Sequence, residues 1–145
     1  MSREEALAIV ETVVDKLEDD LIDLRRDLHA HPELSWEERR TTDLVSHHLD
    51  EMGWQVSRTG DSGLIADLGD GDGARVALRA DLDALPVNDS SGDAWESRVP
   101  GVAHACGHDV HTTALLGAGL ALAETHTAGL LQGRVRLLFQ PAEEI

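Results

Sequence analysis

Leucine and valine recur at three- and four-residue steps along the first thirty residues: Leu7, Val10, Val14, Leu17, Leu21, Leu24 and Leu28. This spacing predicts a long amphipathic helix that ends before Pro32. Ser35 followed three residues later by Glu38 is typical of a helix start, because a serine hydroxyl and a glutamate carboxylate cap the first turn reciprocally. A second helix is therefore predicted from this point to Gly53.

Three short runs that favour β-structure follow, at 54–57, 64–68 and 76–78. The Gly-Asp repeat Gly69–Gly73 supplies turn residues between the last two, so these runs are predicted to form a meander. A helix rich in small residues is predicted from Val110 to about His126, and a last strand at Val135–Phe139, where Pro141 ends the pairing. The order of elements predicts an α/β sandwich with a mixed sheet.

Charge and composition exclude several classes of function. The chain has 28 acidic and 12 basic residues and a net charge of −16, which argues against nucleic acid and anionic membranes as partners. No apolar run approaches the ~20 residues that a membrane helix needs, and the N-terminus lacks a secretory signal pattern, so we expect a cytoplasmic protein. Lys16 is the only lysine, and this acidic, lysine-poor composition is typical either of a halophile or of an ordinary acidic cytosolic protein.

The only cysteine lies in a histidine-rich stretch, His104-Ala-Cys-Gly-His-Asp-Val-His111. Cys106 and His108 are separated by Gly107, which lets the backbone fold so that both side chains reach one ion. Zinc, manganese and cobalt all suit such mixed ligands. The alternative is a buried cysteine among solvent-facing histidines, and His104 and His111 have weaker claims to be ligands.

Two carboxylate pairs follow predicted strands. Asp81 and Asp83 project to the same side of an extended backbone, which favours a metal ion or hydrogen-bond donors between them. Glu143 and Glu144 are adjacent and diverge, so that one can bind a metal while the other holds a water molecule. Solvated charge is the alternative interpretation of both pairs.

Four motifs in order resemble one protein family: Arg25–Glu33 (RRDLHAHPE), Leu78–Pro86 (LRADLDALP), His104–Thr112 (HACGHDVHT) and Phe139–Glu144 (FQPAEE). They are similar to motifs of the hippurate hydrolases, the indole-3-acetyl-amino-acid hydrolases and the N-acyl-amino-acid amidohydrolases. This branch belongs to the aminoacylase and acetylornithine-deacetylase superfamily of metal-dependent amidohydrolases and metallopeptidases.

The resemblance implies a two-metal site in a zinc-peptidase-like α/β/α catalytic domain. Cys106, His108 and Glu144 match family metal ligands. Glu143 matches the general base, and Asp83 matches an aspartate that orients a neighbouring ligand.

Other motif residues receive weaker assignments. Asp81 occupies a position where other branches have a histidine ligand. His29 and His31 belong to a family signature and are taken as structural. The roles of Asp81, His104 and His111 stay open.

The implied activity is hydrolysis of the amide bond of N-acyl amino acids by water that two divalent ions, Zn, Mn or Co, activate. The implied partner is this small-molecule substrate. Relatives add two further histidine ligands and a smaller domain that dimerises. Residues 1–145 are thus expected to be a truncated N-terminal part of the catalytic domain, inactive alone, with homo-oligomers formed by the complete protein.

Two alternatives belong to other functional classes. One is a non-catalytic metal-binding or interaction module that retains half of the site. The other makes Cys106 a nucleophile activated by His108 or His111. For the isolated chain, the strand Val135–Phe139 is expected to present an unpaired apolar edge and to promote aggregation.

Overall fold

The computed structural model describes residues 3–70 and 73–145, which form three helices and four strands. The helices are α1 (Arg3–Ala30), α2 (Arg39–Glu51) and α3 (His108–Thr127), and the strands are β1 (Gln55–Arg58), β2 (Leu64–Leu68), β3 (Arg75–Asp81) and β4 (Arg134–Gln140). All the predicted helices and strands are present. Gly71 and Asp72, in the predicted Gly-Asp turn, lie outside the described residues.

The four strands form one mixed sheet in the order β1-β2-β4-β3. β1 pairs with β2 and β2 with β4 in antiparallel fashion, whereas β3 and β4 are parallel. The predicted meander is therefore wrong for β3, which does not pair with β2. Helix α3 crosses over from β3 and returns the chain as a parallel neighbour, which places β4 between β2 and β3.

The central position of β4 also makes the predicted edge at Val135–Phe139 wrong. This strand is paired on both sides, by Leu64–Leu68 and by Arg75–Asp81. Among the described residues, the strands with an unpaired side are β1 and β3. Strand β3 carries two of the more exposed apolar side chains, with Val76 58% and Leu78 37% exposed.

Helices α2 and α3 pack on one face of the sheet. The strand side chains that point toward them are buried, and they include Leu64, Ala66, Leu68, Val135, Leu137 and Phe139. Trp54 is buried in this layer and donates its Nε1 hydrogen to the carbonyl of Gly119 at 3.2 Å. Helix α1 packs against α3, where Gly117 leaves room for Leu21. The α/β fold with a mixed sheet is confirmed.

The start of α2 differs from the prediction. Glu38 is its N-cap residue and makes no side-chain capping bond, and the hydroxyl of Ser35 donates to Asp83 instead. The capping function falls to Glu33, whose two carboxylate oxygens accept the backbone N–H groups of Arg40 and Thr41 at 2.8 Å each. The Ser35 capping prediction is wrong because Ser35 has a buried carboxylate within reach.

The parallel pairing of β3 and β4 brings three stretches with candidate ligands to one edge of the sheet: the ends of both strands and the start of α3. Asp81 lies opposite Gln140 at the carboxyl ends of the two strands, and Leu82 N–H donates to the Gln140 carbonyl at 3.0 Å. The long loop after β3 then returns to start α3 at His108 beside these strand ends. Sites in open α/β sheets form at such an edge. None of the described helices is both long and apolar enough to cross a membrane.

Candidate metal centre

His108 is the residue around which the candidate centre is built. It is the first residue of α3 and is buried, with 2% of its surface exposed. Its Nδ1 lies 2.9 Å from the Asp83 carbonyl oxygen, which can only accept a hydrogen bond, so Nδ1 carries the proton. Nε2 is then the ring nitrogen that can bind an ion.

Gly107 shapes the loop that presents this ring. It precedes α3 with φ of 84°, in the left-handed region that glycine adopts without steric cost. Its carbonyl accepts the backbone N–H groups of Val110 and His111 in the first turn of the helix. Cys106 is exposed just before this turn, which leaves its sulfur accessible.

Cys106, His108 and Glu144 converge. Their ligand atoms all lie within 4.8 Å of one another, although Glu144 is 36 residues or more distant in sequence from the other two. Oε1 of Glu144 is buried without a hydrogen-bond partner and lies 3.8 Å from Nε2 of His108. A sulfur, a nitrogen and an oxygen donor around an unpartnered carboxylate oxygen fit a divalent ion such as zinc, manganese or cobalt.

The thiol of Cys106 is influenced by these carboxylates. The neighbouring carboxylate of Glu144 contributes most to raising the pKa of Cys106, and the negative charges of Glu143 and Asp83 raise it further. The thiol is therefore protonated at neutral pH when no cation is bound. A metal ion would have to displace this proton, which makes binding at this centre favour higher pH.

Asp83 supports the centre from beneath and is 1% exposed. Its Oδ2 accepts the Ser35 hydroxyl at 2.7 Å and the Glu144 N–H at 3.0 Å, while Oδ1 lies 3.3 Å from His108 Nδ1. Burial alone would raise the pKa of Asp83. Hydrogen bonds from the backbone of Glu144, the Ser35 hydroxyl and the backbone of Glu143 outweigh burial and lower it. Asp83 is thus an ionised residue that orients the ring of His108 and the backbone of Glu144.

Glu143 lies on the open side of the centre. Its Oε2 is 3.9 Å from His108 Nε2, and its side chain is 40% exposed, twice the 21% of Glu144. A carboxylate in this position lies beside the candidate ligands and is also accessible to water. The prediction that one glutamate binds a metal while its neighbour holds a water molecule stays a prediction, for which the more exposed Glu143 is the candidate water-holding residue.

Asp81 and His111 make a second group with His108, again with ligand atoms within 4.8 Å of one another. The group is more open, since the side chain of His111 is 52% exposed. Asp81 Oδ1 already pairs with Arg79, whose Nη2 lies at 2.6 Å and whose Nε lies at 2.8 Å. The guanidinium competes with any cation for Asp81, so this group is the poorer candidate of the two.

The first motif, RRDLHAHPE, connects the end of α1 to the candidate centre, and the sequence did not predict these contacts. His29 places Nδ1 at 2.7 Å from Asp109 Oδ2 and Nε2 at 3.2 Å from Asp89 Oδ2. Arg25 Nε also contacts Asp109 Oδ2, at 2.9 Å. These contacts tie the end of α1 to the long loop and to the first turn of α3, next to His108. The motif RRDLHAHPE held the signal, since His29 stands four residues after Arg25 on one helix face.

His104 is a further buried residue behind the centre. It is 5% exposed, both ring nitrogens lack a partner among the described residues, and its ring centroid lies 6.4 Å from that of His29. Burial lowers the pKa of His104 to about 4, against an opposing effect of Asp109. His104 belongs to neither of the two groups of candidate ligand atoms. The ring of His31, partly exposed just after the end of α1, contacts Asp27.

A mixed α/β sheet with sulfur, nitrogen and carboxylate donors at one edge, and a half-exposed carboxylate beside them, is the arrangement that metal-dependent hydrolases use. Comparison with known proteins agrees with this class. Residues 77–145 match the model of peptidase family M20/M25/M40, and the chain belongs to this M20 family.

The curated relatives include an N-acetyl-L-cysteine deacetylase of Bacillus subtilis, 49% identical over 88% of this chain. An N-acyl-L-amino acid amidohydrolase of Geobacillus stearothermophilus is 41% identical over the whole chain. A putative glutamate–cysteine ligase 2-3 of Rhodococcus jostii is 57% identical over 86% of the chain. The chain spans 31% and 38% of the first two relatives and 15% of the third.

Among solved structures, a dinuclear metal-binding M20 peptidase of Bacillus subtilis superposes with a TM-score of 0.83. It is 41% identical, and the match covers 90% of this chain and 37% of that one. The recognised family and the α/β fold are thus confirmed. The roles of Glu143, Asp83, Cys106, His108 and Glu144 stay predictions that the geometry supports.

Proposed function

We propose that this chain forms part of the active site of a metal-dependent amidohydrolase that cleaves the amide bond of small N-acyl amino acids. The observation that carries the proposal is the convergence of Cys106, His108 and Glu144 within 4.8 Å, with Glu143 beside them. The names of the deacetylase and amidohydrolase relatives support the same class of reaction.

Cys106, His108 and Glu144 would hold one divalent ion, and the similarity to a dinuclear metal-binding peptidase supports a second. Divalent ions in such a site lower the pKa of water and polarise an amide carbonyl. Zinc, manganese and cobalt remain the proposed metals, because the donor set suits all three.

The protein's own residues then supply proton transfer and orientation. Glu143 accepts a proton from the attacking water at its half-exposed carboxylate, and it later donates that proton to the departing amine. Asp83 keeps Nδ1 of His108 protonated, so that Nε2 faces the carboxylates. The products are a carboxylic acid and a free amino acid.

Further parts of the proposal concern the whole protein. Residues 1–145 are proposed to be the N-terminal part of the catalytic domain, since they span about a third of the amidohydrolase relatives. We propose that the complete protein is a cytoplasmic homo-oligomer. The hippurate type of substrate, an N-benzoyl amino acid, is the first to test.

The decisive experiment compares Glu143→Gln with Glu144→Gln in the full-length protein. Loss of the general base costs at least about 100-fold in kcat on N-acetyl and N-benzoyl amino acids, with metal content unchanged. Glu144→Gln removes a proposed ligand and should lower the metal content, which elemental analysis after gel filtration measures. Glu143→Gln with a wild-type rate would refute the general-base role.

The same samples separate the other classes of function. A protein that binds metal through Cys106 but hydrolyses no acyl amino acid would be a binding module. Activity that survives chelators and is lost on thiol alkylation, even with metal present, would indicate a cysteine nucleophile.

A further inference from the structure

The segment Pro141–Glu144 carries both glutamates of the candidate centre and has an unusual backbone. Ala142 has φ of 53°, in the left-handed region that non-glycine residues rarely adopt. A single non-glycine residue in this conformation is strained and persists only when its surroundings hold it. Something outside the segment must therefore stabilise it.

Two buried carboxylates hold this segment by its backbone. Oε1 of Glu38 accepts the N–H of Ala142 at 2.7 Å, and Oδ2 of Asp83 accepts the N–H of Glu144 at 3.0 Å. Glu38 comes from the start of α2 and Asp83 from the end of β3, so the segment is fixed from two sides. The N–H bonds flank Glu143 and determine where its side chain and that of Glu144 point.

Glu38 is an unfavourable residue for stability alone. It is completely buried, with 0% exposure, and its Oε2 has no hydrogen-bond partner among the described residues. Burying a carboxylate with an unpaired oxygen destabilises a fold. Glu38 makes no side-chain cap on α2, which Glu33 caps instead. Its only side-chain hydrogen bond in the described structure is the one to Ala142.

We propose that Glu38 is a positioning residue for the metal centre: its carboxylate holds Ala142 in the left-handed conformation and so aims Glu143 and Glu144 at His108. The 3.9 Å and 3.8 Å distances from His108 Nε2 to the two glutamates are the geometry that it maintains. This inference rests on the proposed metal-dependent function. It adds a residue 104 positions away from the segment it controls.

The test uses Co²⁺ titration of the chain, followed by the thiolate-to-cobalt charge-transfer absorption that Cys106 gives. Glu38→Met and Glu38→Gln both introduce an unbranched side chain of similar length, and only the glutamine retains an oxygen that can accept the Ala142 N–H. We expect Glu38→Met to bind Co²⁺ at least about tenfold more weakly than wild type. Glu38→Gln should bind close to wild type.

Thermal unfolding separates positioning from general stability. Glu38→Met removes a buried carboxyl group that has an unpartnered oxygen, so it should unfold at or above the wild-type temperature while binding Co²⁺ poorly. The matched control is Glu33→Met in the same loop, which loses two hydrogen bonds to the start of α2. It should unfold at a lower temperature with unchanged Co²⁺ affinity.

Each outcome decides. Wild-type affinity in Glu38→Met, or equal weakening in Glu38→Met and Glu38→Gln, would overturn the positioning role while leaving the metal site intact. Absence of the thiolate band in the wild-type chain would overturn the metal site, and the inference with it. Amide hydrogen exchange at Ala142 needs no variant: a protected N–H supports the proposal, and one that exchanges at the rate of an open loop contradicts it.

Discussion

Asp109 illustrates how single buried charges organise this molecule. Its side chain is completely buried, and Oδ2 is shared between Arg25 Nε and His29 Nδ1 at 2.9 and 2.7 Å. A buried carboxylate is tolerated only when it is paired in this way. Since Asp109 follows His108 directly, the pairing also helps to fix the position of the histidine of the candidate centre.

Removal of His29 should therefore destabilise the fold. We expect His29→Ala to lower the free energy of unfolding by about 1–3 kcal/mol, because Asp109 and Asp89 each lose a partner. His31→Ala, in the same motif but partly exposed, should cost less than about 1 kcal/mol. Urea denaturation at neutral pH measures both, and equal losses in the two variants would contradict the network.

Asp89 gives the fold a predictable acid response. Backbone N–H groups of Ser97 and Ser91, followed by the neighbouring His29, lower the pKa of Asp89 from 3.8 to about 2. A carboxyl whose pKa is lower in the folded state stabilises the fold above its unfolded pKa. That stabilisation is lost as the pH falls through the folded value.

Asp89→Asn should accordingly be less stable than wild type at pH 7, and the difference should shrink between about pH 4 and pH 2. The measurement is the free energy of unfolding in urea across that range. Asp93→Asn, which removes an exposed charge from the same loop, is the control and should show no such trend. A difference for Asp89→Asn that stays constant with pH would refute the assignment.

At the scale of elements, periodicity predicted the helices and strands and left their pairing open. The three-and-four spacing from Leu7 to Leu28 is repeated over many turns, so α1 could be predicted from local sequence alone. Strand order depends on which surfaces pack over a crossover, and no local pattern encodes it. For this reason β4 was expected at an edge and lies in the centre.

Of the two edge strands, β1 and β3, we expect β3 to carry the aggregation risk because its apolar side chains are exposed. Val76 is 58% exposed on this strand, whose outer side pairs with no other strand among the described residues. Lysine on an exposed edge strand blocks further strand pairing. We expect Val76→Lys to lower the rate of aggregation of the isolated chain, followed by light scattering at equal concentration.

Val110→Lys is the matched control for this prediction. Val110 is 49% exposed but lies in helix α3, so it presents no open backbone to another strand. The same charge is added in both variants, and only the edge substitution should act strongly. An equal effect of the two would mean that net charge, and not the strand edge, limits solubility.

At the scale of the whole molecule, the candidate metal ligands could be predicted because each is a residue type that commonly binds metals and lies in a short, distinctive stretch of sequence. Cysteine, histidine and paired glutamates stand out in three short stretches, and the fold brings Cys106, His108 and Glu144 together. Supporting residues could not be predicted in the same way. Ser35 and Glu38 have a local explanation as a helix cap, and only the tertiary structure shows that they contact Asp83 and Ala142 instead.

The net charge of −16 makes stability depend on salt, and two causes can be separated. Salt screens the repulsion between like charges already at low concentration, because the Debye length is about 10 Å at 0.1 M and about 3 Å at 1 M. For a mesophilic acidic protein, most of the salt-induced rise in melting temperature should occur below roughly 0.5 M NaCl, and the melting temperature should then change little. Adaptation to concentrated salt, which we propose from the single lysine and the acidic surface, requires a rise that continues into the multimolar range.

Melting curves in NaCl from about 0.05 to about 3 M, read by circular dichroism, distinguish the two. Arg136 and Asp67 form a cross-strand ion pair at 2.7 Å in the sheet, so some attraction also weakens as salt rises. Because the chain has 28 acidic residues against 12 basic ones, we expect repulsion to outweigh such pairs and salt to stabilise the fold. A melting temperature that levels off below roughly 0.5 M would remove the salt adaptation, and one that falls throughout would show that ion pairs dominate the electrostatics of this fold.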